Sequence, residues 1–487
     1  MRLGDLASND FALSADAAAI EISGLTADSR SVQPGFLFAA LKGVAADGSR
    51  FVLDAVKRGA AAVVCSPDAV TLPDDIGVPV LRASDPRMAL AHIASRFYPL
   101  QPEELVAITG TSGKTSVAAF VRQIFEIAGK QAASIGTIGV VSPAGSEYGS
   151  LTTPDPIQLH RILDQLARQG VTHAALEASS HGLDQHRLDG VRLVAGAFTN
   201  LGRDHMDYHP TVANYLEAKL KLFGNLLPEG RTAVVDADGP YAEAVMAVAR
   251  RRGQRLIDVG RAGRSIRLVK AEPDLYSQTL ELDVFGTPMT VRLPLAGGFQ
   301  VSNALVAAGL AIATGIEPRI AIDALGSLVG APGRLERVGV TDKGALVFID
   351  YAHKPDALDH ALGALRPMTR KRLFVVFGAG GDRDAGKRPL MGEAAMRNAD
   401  VVIVTDDNPR SEDPASIRAE ILAGATDAIE IADRKTAIEE AISMLGEGDV
   451  LCVAGKGHET GQIVNGVVLP FSDHDVVAAA LAAEART

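Results

Sequence analysis

Tryptophan is absent, aromatic residues of all kinds make up 5% of the 487-residue chain, and cysteine occurs only twice. Cys65 and Cys452, far apart in strand-like runs, cannot frame a disulfide scaffold and read as buried thiols of a reducing compartment. No stretch reaches about 18 apolar residues without charge or glycine, and the opening MRLGDLASND has no basic segment leading into an apolar core. Neither a membrane span nor an export signal is expected. Basic residues are the minority: 48 Lys and Arg against 59 Asp and Glu give a formal charge of −11, which disfavours generic binding to nucleic acid or an anionic membrane. An anionic ligand must therefore meet local positive groups.

What is abundant is apolar. A hydrophobic fraction of 47% with 48 glycines excludes a disordered or collagen-like chain, and the length suggests about three domains at roughly 150 residues each. Residues 1–100 mix short strand-like runs (FLFAAL, AAVVC) with turns and end in the helix-like MALAHIASRFYP, a small α/β unit. From LVAITG onward, short apolar runs (HAALEAS, VAGAFTN, TAVVDAD) alternate with longer amphipathic stretches, the pattern of a parallel sheet covered on both faces. After Pro332-Gly333 a second such series follows (ALVFID, RLFVVFGAG, DVVIVTDD, DVLCVAGKG). The expectation is an α/β protein of three domains: 1–100, a central phosphate-loop ATPase-like domain over 101–333, and a Rossmann-like domain over 334–487. The alternating pattern of 255–295 predicts an antiparallel extension of the middle domain.

Chemistry-bearing residues sit at strand ends, where open α/β sheets collect ligands. Val106 to Ser116 reads as a buried strand, a glycine loop (Gly110, Thr111, Ser112, Gly113) and a helix start (Lys114, Thr115, Ser116). Such a loop closes backbone N–H groups around phosphate, with Lys114 offsetting charge and the Thr115 hydroxyl available to Mg2+. Two residues, not the usual four, separate Gly110 from Gly113. Glu177 ends the next apolar run and suits a hard cation. The segment Phe198–His209 packs two histidines, two aspartates and Arg203 behind a strand; His205 is a better metal candidate than His209 or Asp207. Lys219 reads as an ordinary solvated helical lysine.

Taken together, these motifs resemble the Mur ligase family, ATP-dependent amide-forming enzymes of bacterial peptidoglycan synthesis. The resemblance includes the short phosphate loop, Glu177 with Ser-Ser-His-Gly after it, Gly298–Ala304, Pro332–Glu336, Asp350-Tyr351-Ala352-His353, and Gly455-Lys456-Gly457-His458-Glu459. Gln300 departs from the asparagine or histidine expected there. By the resemblance, the three domains bind a UDP-sugar precursor, bind ATP, and close over both with the incoming amino acid. Ala27, Ser29, Val44, Ala45 and Ala46 are expected to hold the UDP-MurNAc moiety, with Leu151, Thr152, Thr153, Ser179, Gln185 and Arg187 along its peptide arm. Asn303, Arg334 and Asp350 would meet ATP beside the phosphate loop. Lys219 would be carbamylated and, with Thr115, Glu177 and His205, would ligate Mg2+; Lys114, Lys219 and His205 are the expected catalytic residues. Asp407-Asn408-Pro409-Arg410 looks like the diaminopimelate motif of the branch that adds the third peptide residue. Arg383, Asp407, Asn408, Pro409, Arg410, Gly455 and Glu459 would form that pocket, since an arginine fork grips the carboxylate that distinguishes meso-diaminopimelate from lysine.

The implied activity is addition of meso-diaminopimelate to UDP-MurNAc-L-Ala-D-Glu at the cost of ATP, by a cytoplasmic monomer. The implied partners are these small molecules, with no nucleic acid and no membrane insertion. Alternatives are an L-lysine-adding ligase, a phosphate-loop kinase or NTPase, a noncatalytic nucleotide-binding module, and a folylpolyglutamate-synthetase-like enzyme.

Overall fold

The computed structural model describes residues 1–43, 47–69, 76–149, 151–202, 204–206, 208–274 and 276–484. The chain divides into two compact units, one of Met1–Leu268 with Asp283–Thr287 and Leu305–Ala321, the other of Val269–Leu282 with Pro288–Ala304 and Ile322–Thr487.

In the first unit, a four-stranded sheet runs in the order Gly24–Thr26, Phe36–Ala40, Ala62–Cys65, Val80–Arg82, every pair parallel. Alternate residues of one strand enter different cores: Leu37 and Ala39 pack with Val64 and Leu81, while Phe38 and Ala40 pack with Val63 and Cys65. Period-two alternation on a sheet covered on both sides makes every strand position apolar, hence FLFAAL and AAVVC. Helix Pro86–Phe97 lies on this sheet; Asp85 caps it by accepting from the N–H groups of Arg87 and Met88, and it ends at Phe97, two residues before Pro99.

The larger sheet of this unit places Glu104–Thr109 between His173–Glu177 and Leu193–Phe198, parallel to both. Ala132–Gly136 and Thr232–Asp236 extend it as further parallel neighbours. The antiparallel extension expected over 255–295 is corrected at its start. Arg255–Gly260 pairs parallel with Thr232–Asp236, and Ile266 and Arg267 pair parallel with Val259 and Gly260. Helix Ala242–Arg251 supplies the crossover that a parallel neighbour requires, whereas alternation alone does not distinguish the two pairings.

The second unit contains a six-stranded sheet in the order Glu336–Val340, Leu346–Asp350, Val450–Ala454, Leu373–Phe377, Val401–Val404, Ile429–Glu430, antiparallel only at its first pair. Here too one face (Phe348, Val375, Phe377, Cys452) and the other (Val347, Phe374, Val376, Val453) are buried. Helix Asp473–Glu484 is the tail helix read from the sequence. Cys65 and Cys452 are buried free thiols. No helix among the described residues is long and apolar enough to cross a membrane.

Three histidines are held neutral by burial: His160, whose Nε2–H donates to the Asp189 carbonyl at 2.9 Å, His173 and His353 each have the pKa pushed down to about 4. Unfolded imidazoles take a proton near pH 6.5, so between about 6.5 and 4 the unfolded chain binds more protons and stability falls as pH falls. His160→Gln, which keeps a donor for Asp189, should flatten this loss. Urea midpoints at pH 7 and 4.5 check it; equal pH dependence in variant and wild type would contradict it.

Candidate active site

Strand Glu104–Thr109 delivers the glycine loop to helix Lys114–Ile127, whose N-cap is Gly113 at φ +87 with no side-chain cap. A helix start without a side-chain cap, preceded by a glycine loop, is the arrangement that binds phosphate through backbone N–H groups. The next strand pins the loop from the side. Asn200 Oδ1 accepts from Ser112 N at 3.0 Å, Asn200 O accepts from Thr111 N at 2.9 Å, and Thr199 Oγ1 donates to Ser112 O at 2.6 Å. Thr199 crowds Gly110 so closely that a Cβ there would overlap its hydroxyl, and Gly110 has φ +150. Glycine at 110 is thus a packing requirement as well as a conformational one.

Two lysines converge on this loop. Lys114 Nζ folds back to donate to Gly110 O and Thr111 O, each at 2.9 Å. Lys219, on helix Val212–Lys221, donates to the same Gly110 O at 2.8 Å and lies 4.3 Å from the Tyr215 ring centroid. Its exposure is 1%, so it departs from the solvated state ordinary for a helical lysine. Burial first, and the Lys114 charge second, push its pKa well below the ordinary lysine range against a smaller pull from Asp204. Helical periodicity could not reveal this, because the covering groups come from the distant loop at Gly110.

Glu177, also 1% exposed, ends its strand beside this loop. Its Oε2 accepts from Thr115 Oγ1 at 3.1 Å and Thr137 Oγ1 at 3.2 Å, and its Oε1 from Thr137 N at 2.8 Å. Thr115 and Glu177 thus present two hard oxygen donors together. His205, at φ +53, places its ring 6.2 Å from Tyr215 and its Nε2 3.5 Å from Asp204 Oδ2. Among the described residues, no group of three or more His, Cys, Asp or Glu side chains is gathered closely enough to hold a metal ion. Tyr215 escaped the sequence reading. Its ring lies between His205 and Lys219, and its hydroxyl accepts from Thr111 Oγ1 at 3.2 Å; its place one helical turn before Lys219 was the available signal.

From Glu177 a connected hydrogen-bond path leads outward. Thr152 and Thr137 hydroxyls are 3.0 Å apart; Thr153 Oγ1 donates to Glu177 O and faces Ser179 Oγ at 3.1 Å. Arg187 then donates to Thr153 O and Gln185 Oε1. This path reaches a cleft of 520 Å3 lined by Ala27, Asp28, Arg87, Leu151, Asp155, Arg161, Gln185 and Arg187 among others. Ser29 lies one residue beyond, in the turn capped by Asp28. The cleft's carboxylates are already engaged: Arg30 pairs with Asp28 and lowers its pKa to about 2, while Asp155 accepts the N–H groups of Ile157 and Gln158. Three guanidinium groups, those of Arg87, Arg161 and Arg187, are the local positive charge an anionic ligand needs in so acidic a chain; Arg87 and Arg161 were not anticipated. Val44, Ala45 and Ala46, like Arg203 and Asp207, lie outside the described residues.

The second unit carries the remaining expected residues. Asn303 Nδ2 donates to Gln300 Oε1 at 3.1 Å, and Gln300 Nε2 to Arg334 O at 3.2 Å, so the departure at 300 still makes a two-ended amide link. The Arg334 guanidinium sits 4.7 Å from the Tyr351 ring centroid. Asp350 accepts Leu335 N at 2.6 Å and Ala352 N at 2.8 Å; burial raises its pKa against the opposing pull of Arg334 and these N–H groups. Asp407 and Asn408 are buried, Pro409 follows them, and Arg410, half-buried at φ +54, donates to Gly381 O at 2.7 Å. Asn408 Nδ2 donates to Glu459 Oε2 at 2.9 Å. Gly455 N donates to Asp350 O, and Arg383 is exposed.

Residues 21–98 match the Mur ligase family catalytic domain, 108–311 the Mur ligase middle domain, and 333–457 the Mur ligase glutamate ligase domain. The chain belongs to the Mur ligase family. It is 58% identical over 483 residues to the UDP-N-acetylmuramoyl-L-alanyl-D-glutamate--2,6-diaminopimelate ligase of Brucella melitensis, and 59% identical over 486 residues to the ligase of the same name from Bradyrhizobium diazoefficiens. Each alignment covers 99% of both chains. A solved structure of a ligase of that name, 32% identical, covers 100% of both chains with a TM-score of 0.73.

The crowding at Gly110 yields a stability prediction. Gly110→Ala should cost about 1 to 3 kcal/mol through overpacking, and adding Thr199→Ala should recover about 1 kcal/mol of that by opening space. Unfolding midpoints of the two single variants and the double variant check this; strictly additive losses would contradict it.

Proposed function

We propose that the chain joins meso-diaminopimelate to the side-chain carboxylate of the D-glutamate in UDP-N-acetylmuramoyl-L-alanyl-D-glutamate, using ATP. The 58% and 59% identity to two ligases of that name, across 99% of the chain, carries this reading. The two lysines that converge on a phosphate loop, Lys219 buried and Lys114 half-buried, support the use of ATP. Boundaries near 101 and 334 and a cytoplasmic setting belong to the same proposal.

A carboxylate does not condense with an amine at neutral pH, so it must first be activated. The D-glutamate side-chain oxygen attacks the γ-phosphorus in line, giving ADP and an acyl phosphate; the diaminopimelate amine attacks the acyl carbon and phosphate leaves. The loop N–H groups and Lys114 hold the phosphates and offset charge as it shifts toward the leaving ADP. Thr115 and Glu177 fit Mg2+ by donor chemistry and would hold it, and His205 and a carbamate on Lys219 would add further ligands. When bound, Mg2+ neutralises charge on the transferred phosphoryl group. Lys219 suits carbamylation because its environment favours the neutral amine, the form that adds CO2. Tyr215 keeps that amine oriented from below.

Arg187, Gln185, Leu151 and Ala27 hold the nucleotide-peptide substrate in the arginine-lined cleft, with Ser29 at its uridine end. Asn303, Arg334 and Asp350 serve ATP. Arg410, Arg383, Glu459 and Gly455 take diaminopimelate, while Asp407 and Asn408 shape its pocket. ADP release with the nucleotide dipeptide and, in turn, meso-diaminopimelate, L-lysine and L-ornithine tests the function. Release should require both the carboxylate substrate and diaminopimelate; ADP formation without an amine acceptor would favour a kinase or NTPase.

Two variants follow from the geometry. Lys219→Ala should lose most of its turnover and regain part of it with short carboxylates, and intact-protein mass should show one carbamate on wild type alone; no rescue together with an unmodified wild-type mass would contradict the carbamate. Because Arg410 is only half-buried and already bonded to Gly381 O, removing its ligand bonds should cost about 1.5 to 3 kcal/mol, roughly ten- to a hundredfold. Arg410→Ala should show that as a raised KM for diaminopimelate, with Arg410→Lys intermediate because it lacks the fork. Unchanged KM in Arg410→Ala would contradict the specificity claim.

A further inference from the structure

Inside the pocket-forming segment of the second unit lies a cation with no role in the preceding account. Lys456 is fully buried. It sits between two glycines at positive φ, Gly455 at +113 and Gly457 at +53. A Cβ at 457 would come 2.8 Å from Tyr351 Cβ, so the turn is tight and admits only glycine there. The Lys456 ammonium has three donors, and three acceptors stand around it: Asn408 Oδ1 at 3.0 Å, Asp407 Oδ1 at 3.4 Å and Glu459 Oε2 at 3.4 Å. These acceptors come from two separate loops, so one side chain ties both together.

The Asn408 amide is oriented by this contact. Its oxygen accepts from Lys456 and from Ile463 N at 2.9 Å, and its nitrogen donates to Glu459 Oε2 at 2.9 Å. A flipped amide would set NH2 against an ammonium and an N–H, and its oxygen against a carboxylate. Glu459 Oε2 is consequently engaged twice, while among the described residues Oε1 has only a long contact, 3.5 Å, from the Tyr351 hydroxyl. The other cations near these carboxylates are bound elsewhere: Arg434 pairs bidentately with Asp473, and Lys387 donates to His353 O at 2.8 Å.

We propose that Lys456 is a positioning residue of the amino-acid pocket: it locks the Asn408 amide and turns Glu459 so that Oε1 is the acceptor offered to the ammonium of the incoming amino acid. This rests on the diaminopimelate-ligase reading. Lys456 itself touches no substrate, and its influence runs through Asn408 and Glu459.

The test is steady-state kinetics of Lys456→Met on the full chain, varying each of the three substrates separately. The KM for diaminopimelate should rise about tenfold or more, with the KM values for ATP and the nucleotide dipeptide near wild type. Since the variant strands the buried Asp407 carboxylate beside the partly exposed Glu459 and can fold poorly, Lys456→Met with Asp407→Asn is measured beside it, restoring the local charge balance. The double variant should recover thermal stability while its KM for diaminopimelate stays raised. A wild-type KM in folded Lys456→Met, or recovery of KM together with stability in the double variant, would overturn the proposal by leaving Lys456 only a structural charge. Wild-type enzyme showing no diaminopimelate-dependent ADP release would instead overturn the functional reading, and this inference with it.

Discussion

A single carbonyl oxygen, that of Gly110, accepts from the ammonium groups of both Lys114 and Lys219, at 2.9 and 2.8 Å. Of these two like charges on one acceptor, the one at Lys219 is fully buried and out of reach of water. Such an arrangement favours a bound anion at Lys114 and the uncharged form at Lys219. Under the proposed function the phosphate groups of ATP supply that anion. At Lys219 burial pushes the pKa well below the ordinary lysine range, which is the basis for proposing a carbamate there. Glycine at 110, Tyr215 beneath Lys219, and the bracing of the loop by Thr199 and Asn200 all serve to hold this one convergence.

The second unit follows the same logic with the sign of the ligand's charges reversed in part. A buried lysine, Lys456, is surrounded by acceptors from Asp407, Asn408 and Glu459, and on the inference above it holds the Glu459 carboxylate ready for a cation. Arg410, braced on Gly381 O, provides the complementary positive group. Under the proposed function, an amino acid carrying a carboxylate as well as an ammonium at its far end would satisfy both, and lysine would satisfy one. Both units therefore place their charged side chains where polar partners fix their direction before the ligand binds, which reduces the reorganisation left for the reaction.

Much of this was legible in the sequence because it is local. The phosphate loop, the capped helix at Pro86, and the apolar strands are contiguous patterns whose residue types follow from backbone geometry and two-sided burial. What was not legible depends on contacts between distant segments. Lys219 looks exposed on its own helix, and only the loop at Gly110 buries it; Tyr215, Arg87 and Arg161 acquire meaning only beside groups far away in the chain. The strand at 255 shows the same limit, since its pairing sense is set by the helix before it and not by its own alternation.

The central claim, that the D-glutamate carboxylate becomes an acyl phosphate before the amide bond forms, has a direct isotopic test. With both side-chain carboxylate oxygens of the nucleotide dipeptide labelled with 18O, each turnover should release phosphate carrying one labelled oxygen, because the carboxylate oxygen that attacked phosphorus departs with it. Unlabelled phosphate, formed at the rate of amide synthesis, would contradict the account.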